Sequence, residues 1–153
     1  MRMNASVAVC LSHGMVILMK RRERNDDPWS GDVSFPGGFL KDGEGFLEAA
    51  RREFEEETGI DRKELVQISE MDVFHPVRYK ELNVKPFVFK INSLIQIIPN
   101  DEMVGGGWYN IHNMTLKRDD THGEFFQIDD IIIWGLTFRI LKTIIDNMPE
   151  ILE

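Results

Sequence analysis

The chain has 153 residues, 42% hydrophobic and 29% charged, which suits a single domain (1–153) with a sizeable core and argues against global disorder. Its formal charge is −8, from 26 acidic against 18 basic residues. With no basic stripe in view, nucleic acid is an unexpected partner, while a small nucleotide remains compatible. The single cysteine, Cys10, excludes an intramolecular disulfide and a cysteine zinc site.

The first 14 residues lack a long apolar stretch ending in a small-residue cleavage site, so no signal peptide is expected. Residues 6–11 and 15–20 read as strands joined by a hairpin turn at Ser12-His13-Gly14, with Cys10 a buried strand residue. Residues 21–30 are polar and contain Pro28, a loop. A short strand at 33–35 runs into Pro36-Gly37-Gly38, which is expected to break it. A helix follows the glycine-rich FLKDGEG and ends at Thr58-Gly59, where glycine supplies the left-handed cap. Residues 65–74 and 84–91 are rich in β-formers, and 105–111 is a weaker strand candidate weakened by three consecutive glycines. Asp129 is expected to cap a helix running to about Asn147, with Ile133, Leu136, Ile140, Ile144 and Ile145 as its buried stripe and Pro149 as its stop. Gly135, Arg139 and Lys142 interrupt that apolar segment, which makes it a core helix and not a membrane span. No membrane partner and a cytoplasmic location are the expectations, and a homodimer stays open. The order of elements predicts an α/β/α sandwich with a mixed sheet.

The helix holds the chemistry. At about 100° per residue, Glu53, Glu56 and Glu57 share an arc of roughly 100° that borders the apolar stripe of Phe46, Leu47, Ala50 and Phe54. Glu48 and Glu55 point to the opposite, solvated face. An acidic run often does nothing but face water. Three convergent carboxylates, however, repel one another unless a counterion joins them, and hard oxygen ligands suit Mg2+ or Mn2+.

Gly38, Glu44, Arg52, Glu53, Phe54, Glu56, Glu57, Gly59 and Ile60 together fill G-x5-E-x7-R-E-U-x-E-E-x-G-U, where U is apolar. This resembles the signature of the Nudix hydrolases, the one mild departure being aromatic Phe54 where an aliphatic residue is commoner. The resemblance implies an α/β/α Nudix fold and metal-dependent hydrolysis of a diphosphate linkage in a nucleotide derivative. It also implies metal ligands at Glu53, Glu56, Glu57 and the Gly38 carbonyl, a base at Glu56 or a neighbour, and Glu44 and Arg52 as the pair bracing the cluster. Metal would offset the repulsion between an acidic protein and a polyanionic substrate. A non-catalytic nucleotide-sensing module and a diphosphate isomerase share the fold. The first usually loses metal glutamates that are all present here, and the second needs a cysteine in a context unlike that of Cys10.

The segment before the signature resembles that of the coenzyme A diphosphatases within the same superfamily. Leu18, Arg22, Gly31 and Phe35-Pro36-Gly37-Gly38 match in spacing, while Asp27 stands where a second arginine is wanted. Lys85-Pro86-Phe87-Val88 and the stretch from Ile133 to Thr137 also look like that subgroup. By this resemblance coenzyme A-like compounds lead the substrate classes, ahead of ADP-ribose and dinucleotides. Arg22, Arg24 and Trp29 are the candidate substrate-binding residues. Glu102, six residues before Trp108, is the candidate catalytic carboxylate outside the helix, and Glu124 a weaker rival. His75 and His122 read more readily as structural or solvated, and Phe125 and Phe126 as packing more readily than base stacking.

Overall fold

The protein is described by a computed structural model over residues 3–25 and 32–152. Strands β1 (Met3–Ser12) and β2 (Met15–Arg21) form the predicted hairpin. Its turn residues His13 and Gly14 both take positive φ, 50° and 75°, the twist that closes a two-residue turn between right-twisted strands. The chain continues through β3 (Val33–Ser34), β4 (Gly37–Phe39), α1 (Phe46–Thr58), β5 (Val66–Glu70) and β6 (Leu82–Lys90). It ends with β7 (Met103–Asn110), β8 (Thr115–Asp119), β9 (Gly123–Ile128), β10 (Ile131–Ile133) and α2 (Gly135–Asn147).

Among the described residues seven strands make one mixed sheet. Strand β6 runs parallel to β1 from Met3↔Leu82 to Leu11↔Lys90, β5 lies antiparallel outside β6, and β7 lies antiparallel along β2. Strands β1 and β2 pair only beside their turn, at Leu11↔Val16 and Ser12↔Met15. Beyond it they part like a wedge. Strand β4 pairs with β1 at Ala5–Val7 and β3 with β2 at Met19–Lys20, so the connection between β3 and β4 fills the open mouth.

Alternation along the strands feeds two cores. Ala8, Cys10, Ile17, Met19, Phe87 and Phe89 pack against Ala50 and Phe54 of α1. Val9, Leu11, Val16, Leu18 and Val88 pack against Phe138, Ile140, Leu141 and Ile144 of α2. A sheet buried on both faces explains why β1 and β2 are apolar almost throughout. This is the expected α/β/α sandwich.

Four local expectations need correction. The strand at 33–34 does break, at Phe35-Pro36, but Gly37-Gly38 is not part of the break: it opens a new strand, β4. The strand expected at 65–74 stops at Glu70, leaving Phe74 a lone bridge to Val84. The three glycines do not weaken β7; a Cβ on Gly106 would lie 2.5 Å from the Met19 sulfur, so the missing side chain makes room for a core methionine. Asp129 caps nothing. It sits at φ 52° in the turn between β9 and β10, and α2 begins only at Gly135, with Trp134 at its cap. Ile133 is therefore a strand residue, although it is fully buried against the same core as the helix. Strands β8, β9 and β10 form a second, antiparallel sheet that the sequence reading missed. Among the described residues no helix is long and apolar enough to cross a membrane.

Candidate active site

Strand β4 and helix α1 meet at the two glycines. A Cβ on Gly37 would lie 2.3 Å from the Ser6 carbonyl oxygen, and one on Gly38 would lie 2.7 Å from the Glu53 carboxyl carbon. At Gly37 the clash is with backbone, so only glycine lets the strand run this close to β1; at Gly38 it is with the end of the Glu53 side chain. The Gly37 N–H points at both carboxyl oxygens of Glu57, each 3.4 Å away. Helix α1 is tied at both ends: the Ser6 hydroxyl donates to the Phe46 carbonyl at 2.6 Å, and Gly59, at φ 75°, donates its N–H to the Glu55 carbonyl. Phe54, the departure from the usual signature, is fully buried in the core beneath α1.

Arg52 organises the carboxylates. Its Nε and one terminal nitrogen fork onto Glu44 at 2.7 and 2.9 Å. The other terminal nitrogen bridges Glu53 at 2.8 Å and Glu56 at 3.1 Å. The guanidinium holds the Glu44 pKa down at about 2, and Glu44 in turn raises that of Arg52. The loop before α1 helps, since the Lys41 N–H donates to Glu44 at 3.0 Å.

Glu57 stands apart from this pairing. It is 0% exposed, and burial, followed by its hydrogen bond with the Glu53 carboxyl, pushes its pKa well above the usual carboxylate range. Arg21 and the Gly37 N–H act in the opposite direction, less strongly. Two buried-side carboxyls in contact need a shared proton or a cation. Among the described residues no three acidic, histidine or cysteine side chains already converge as an ion-binding group. The donor set nonetheless fits a hard divalent ion: carboxylates at Glu53 and Glu57 in contact, a third at Glu56 whose side chain is 45% exposed, and a glycine backbone against Glu53.

The other expected residues scatter. Arg22 and Glu102 meet through backbone, the Arg22 N–H donating to the Glu102 carbonyl at 2.9 Å, and the Arg22 Nε donates to the Asp101 carbonyl at 2.8 Å. Glu102 is exposed in the turn before β7, at the end of β2 where Arg21 lies. Arg24 is exposed. Trp29, like Asp27, Pro28 and Gly31, lies outside the described residues. Glu124 is exposed on β9, and Phe125 and Phe126 are buried, Phe126 against Phe138 at 4.9 Å. His75 bonds the Leu82 carbonyl, and His122 pairs with Asp119. Glu48 faces solvent, but Glu55 does more than that: it pairs with Arg62 and pins the helix end to the next turn. Arg21 was missed. It lines a cavity of about 100 Å³ with Gly37, Gly38 and Thr137, and the signal available was strand alternation through Lys20-Arg21-Arg22.

The sequence model of the NUDIX domain matches residues 1–127. The structure is similar to that of a NUDIX hydrolase from Nitrosomonas europaea, with a TM-score of 0.70 at 16% identity over 97% of this chain and 73% of that one. It is also similar to a C. elegans Ap4A hydrolase in a binary complex, with a TM-score of 0.58 at 19% identity over 72% and 81% of the two chains. A third likeness is to a bifunctional NMN adenylyltransferase/ADP ribose pyrophosphatase from Francisella tularensis complexed with AMP and a Mn ion. There the TM-score is 0.67 at 21% identity, over 95% of this chain and 42% of that one. At these identities the likeness is one of fold.

Proposed function

Because the chain belongs to the NUDIX domain family, we propose that it is a pyrophosphohydrolase that uses Mg2+ or Mn2+ to cleave a diphosphate linkage in a nucleotide derivative. The observation that carries this reading is the fully buried Glu57 carboxyl in contact with Glu53, a pair that is costly as two anions and favourable around a cation. Glu53, Glu56, Glu57 and the Gly38 carbonyl would hold the ion. When bound, it would polarise the phosphate oxygens and lower the pKa of a water nucleophile.

The remaining steps belong to side chains. Arg52 and Glu44 keep Glu53 and Glu56 in register, the role of partners that orient ligands. Glu56, the most exposed of the three helix carboxylates, accepts the proton of the attacking water as the bond to the leaving phosphate breaks. Glu102 is the second candidate for that base, held near Arg21 by the Arg22–Glu102 backbone bond. Arg22, Arg24 and Trp29 remain the proposed substrate contacts, and coenzyme A-like compounds, ADP-ribose and dinucleotides the proposed substrates. An isomerase role is poorly supported, because Cys10 is fully buried and burial pushes its thiol pKa upward.

The test is hydrolysis, with Mg2+ or Mn2+, of coenzyme A, ADP-ribose, NADH, diadenosine polyphosphates and nucleoside triphosphates, followed by product identification. Metal-dependent release from one class is expected, and its loss by on the order of 10²-fold or more in Glu56→Gln. No release from any of them overturns the reading. Full activity in Glu56→Gln reassigns the base, and Glu102→Gln then becomes the deciding variant.

A further inference from the structure

A second cavity, of about 370 Å³, opens on the α2 side of the sheet, between β2, β3 and β7 on one wall and β10 on the other. Two carboxylates line it, Asp32 just before β3 and Asp130 just before β10, against the single ammonium of Lys20 on β2. Lys20 is in ion-pair contact with neither of them. Asp129 adds to the negative side: burial, then the charges of Asp130 and Asp129, hold the Tyr109 phenol above its ordinary pKa. An anion meets net repulsion here, and a cation net attraction.

The walls say which kind of cation. Tyr109 and Trp134 both line the cavity, and their rings are not in contact with each other. Among the described residues the ring partner of Trp134 is His122, at 5.1 Å and 78°, which is fixed in turn by Asp119 at 3.0 Å. The indole is thus held by a residue that does not line the cavity, and the space between the two aromatic side chains is left to a ligand. A bare metal ion matches it poorly. Among the described residues no three acidic, histidine or cysteine side chains converge, and the volume is that of an organic molecule. An ammonium carrying alkyl groups matches better: its charge is spread over a weakly hydrated surface that aromatic faces attract, and carboxylates at the rim complete the pairing.

The cavity also sits beside the carboxylate cluster of α1. Lys20 and Val33 line it, while their chain neighbours Arg21 and Ser34 line the smaller cavity at Gly37-Gly38. A diphosphate held at the glutamates therefore has this cavity next to one of its ends.

We propose that the cavity binds an alkylated ammonium group between Trp134 and Tyr109, with Asp130 and Asp32 as its counter-charges. Resting on the diphosphate-hydrolase reading, the substrate class is then a nucleoside diphosphate esterified to an alkylammonium alcohol, the cation being the end that is not the nucleoside. Trp134 and Asp130 determine specificity and stand outside the hydrolytic step. Lys20 opposes a lone cation, so its removal strengthens the binding of one.

The experiment follows choline and its uncharged carbon isostere, 3,3-dimethylbutan-1-ol, by saturation-transfer NMR on their methyl protons, in buffer with Mg2+. The proteins are wild type, Asp130→Asn, Lys20→Met and Trp134→Leu, and thermal unfolding checks that each is folded. Choline is expected to bind wild type on the order of tenfold more tightly than the isostere. Asp130→Asn should weaken choline by about threefold, Lys20→Met should tighten it by a similar factor, and neither should move the isostere. Trp134→Leu should weaken choline by about tenfold; if that variant does not fold, the two surface substitutions still decide, since their opposite signs are required. In turnover, the choline ester of cytidine diphosphate should exceed the 3,3-dimethylbutyl ester in kcat/KM by about tenfold, with Asp130→Asn narrowing the gap and leaving the uncharged ester unaffected. Choline bound no better than the isostere, or equally by wild type, Asp130→Asn and Lys20→Met, overturns the proposal even where hydrolysis is robust. Selective choline binding with hydrolysis of no diphosphate sustains the pocket and overturns the enzymatic reading alone.

Discussion

Replacing Gly38 by alanine tests the link between the glycine strand and the carboxylates. The new Cβ would lie 2.7 Å from the Glu53 carboxyl carbon and 2.8 Å from one of its oxygens. Non-bonded atoms prefer about 3.5 Å, so the carboxylate must retreat by roughly 0.8 Å. The atoms in the way belong to the end of a flexible side chain, so the fold survives at a cost of about 1–3 kcal/mol. Glu53 would, however, leave the position fixed by its 2.8 Å bond from Arg52. Displacements near 1 Å at a reacting centre cost on the order of 10²-fold in rate. The expected result is a folded protein with a modestly lowered Tm, a smaller Tm increase on adding Mn2+, and kcat/KM reduced by about 10²-fold. Two relatives sharpen the outcome. Gly37→Ala meets the Ser6 backbone oxygen at 2.3 Å and is expected to disrupt folding, whereas Gly107→Ala meets only the Tyr109 ring at 3.7 Å and should behave as wild type. Thermal unfolding with and without Mn2+, paired with hydrolysis assays, reads all three. Gly38→Ala with full activity and a full metal response would refute the reasoning.

Two further outcomes follow from the Arg52 network. Arg52→Lys keeps the charge but cannot fork onto Glu44 while bridging Glu53 and Glu56; chemical denaturation in chelator should show a loss of about 1.5–3 kcal/mol, and wild-type stability would contradict the assigned bonds. Glu44, whose pKa is lowered from 4.5 to about 2, contributes stability that is complete above pH 4.5 and disappears as pH falls through about 2. The stability difference between wild type and Glu44→Gln should therefore shrink between those values in denaturation measured at a series of pH, and a difference independent of pH would count against the pairing.

The carboxylate-bearing helix was readable because its information is local. Carboxylate spacing, the apolar stripe and the Gly59 cap all lie within one segment, and the structure returns the helix at Phe46–Thr58 with its left-handed glycine. The hairpin at His13-Gly14 was local too. What the sequence hid depends on partners far along the chain. Gly37-Gly38 looks like a breaker until Ser6 and Glu53 are brought against it. The run from Ile131 through Leu136 is apolar throughout, and periodicity cannot separate a short buried strand from the start of a helix. Strand β8 is exposed along its whole length, so no alternation announced it. The candidate site divides in the same way: Arg52 and the three glutamates it bonds sit in or just before one helix, while Arg21 comes beside Gly37, Gly38 and Thr137 only through the fold.

The parallel pairing of β1 with β6 has a further bearing, on how the protein is made. Asn4 hydrogen-bonds Asn83 across 79 residues of chain, and every rung of that ladder spans the same interval. Contacts this distant in sequence slow folding, because the loop must close before any of them contributes. During synthesis the hairpin and α1 are complete long before Lys90 emerges, and the apolar edge of β1 waits without its neighbour. Its protection in that interval falls to folding helpers or to speed, and any substitution that lengthens the wait is felt in yield before it is felt in activity.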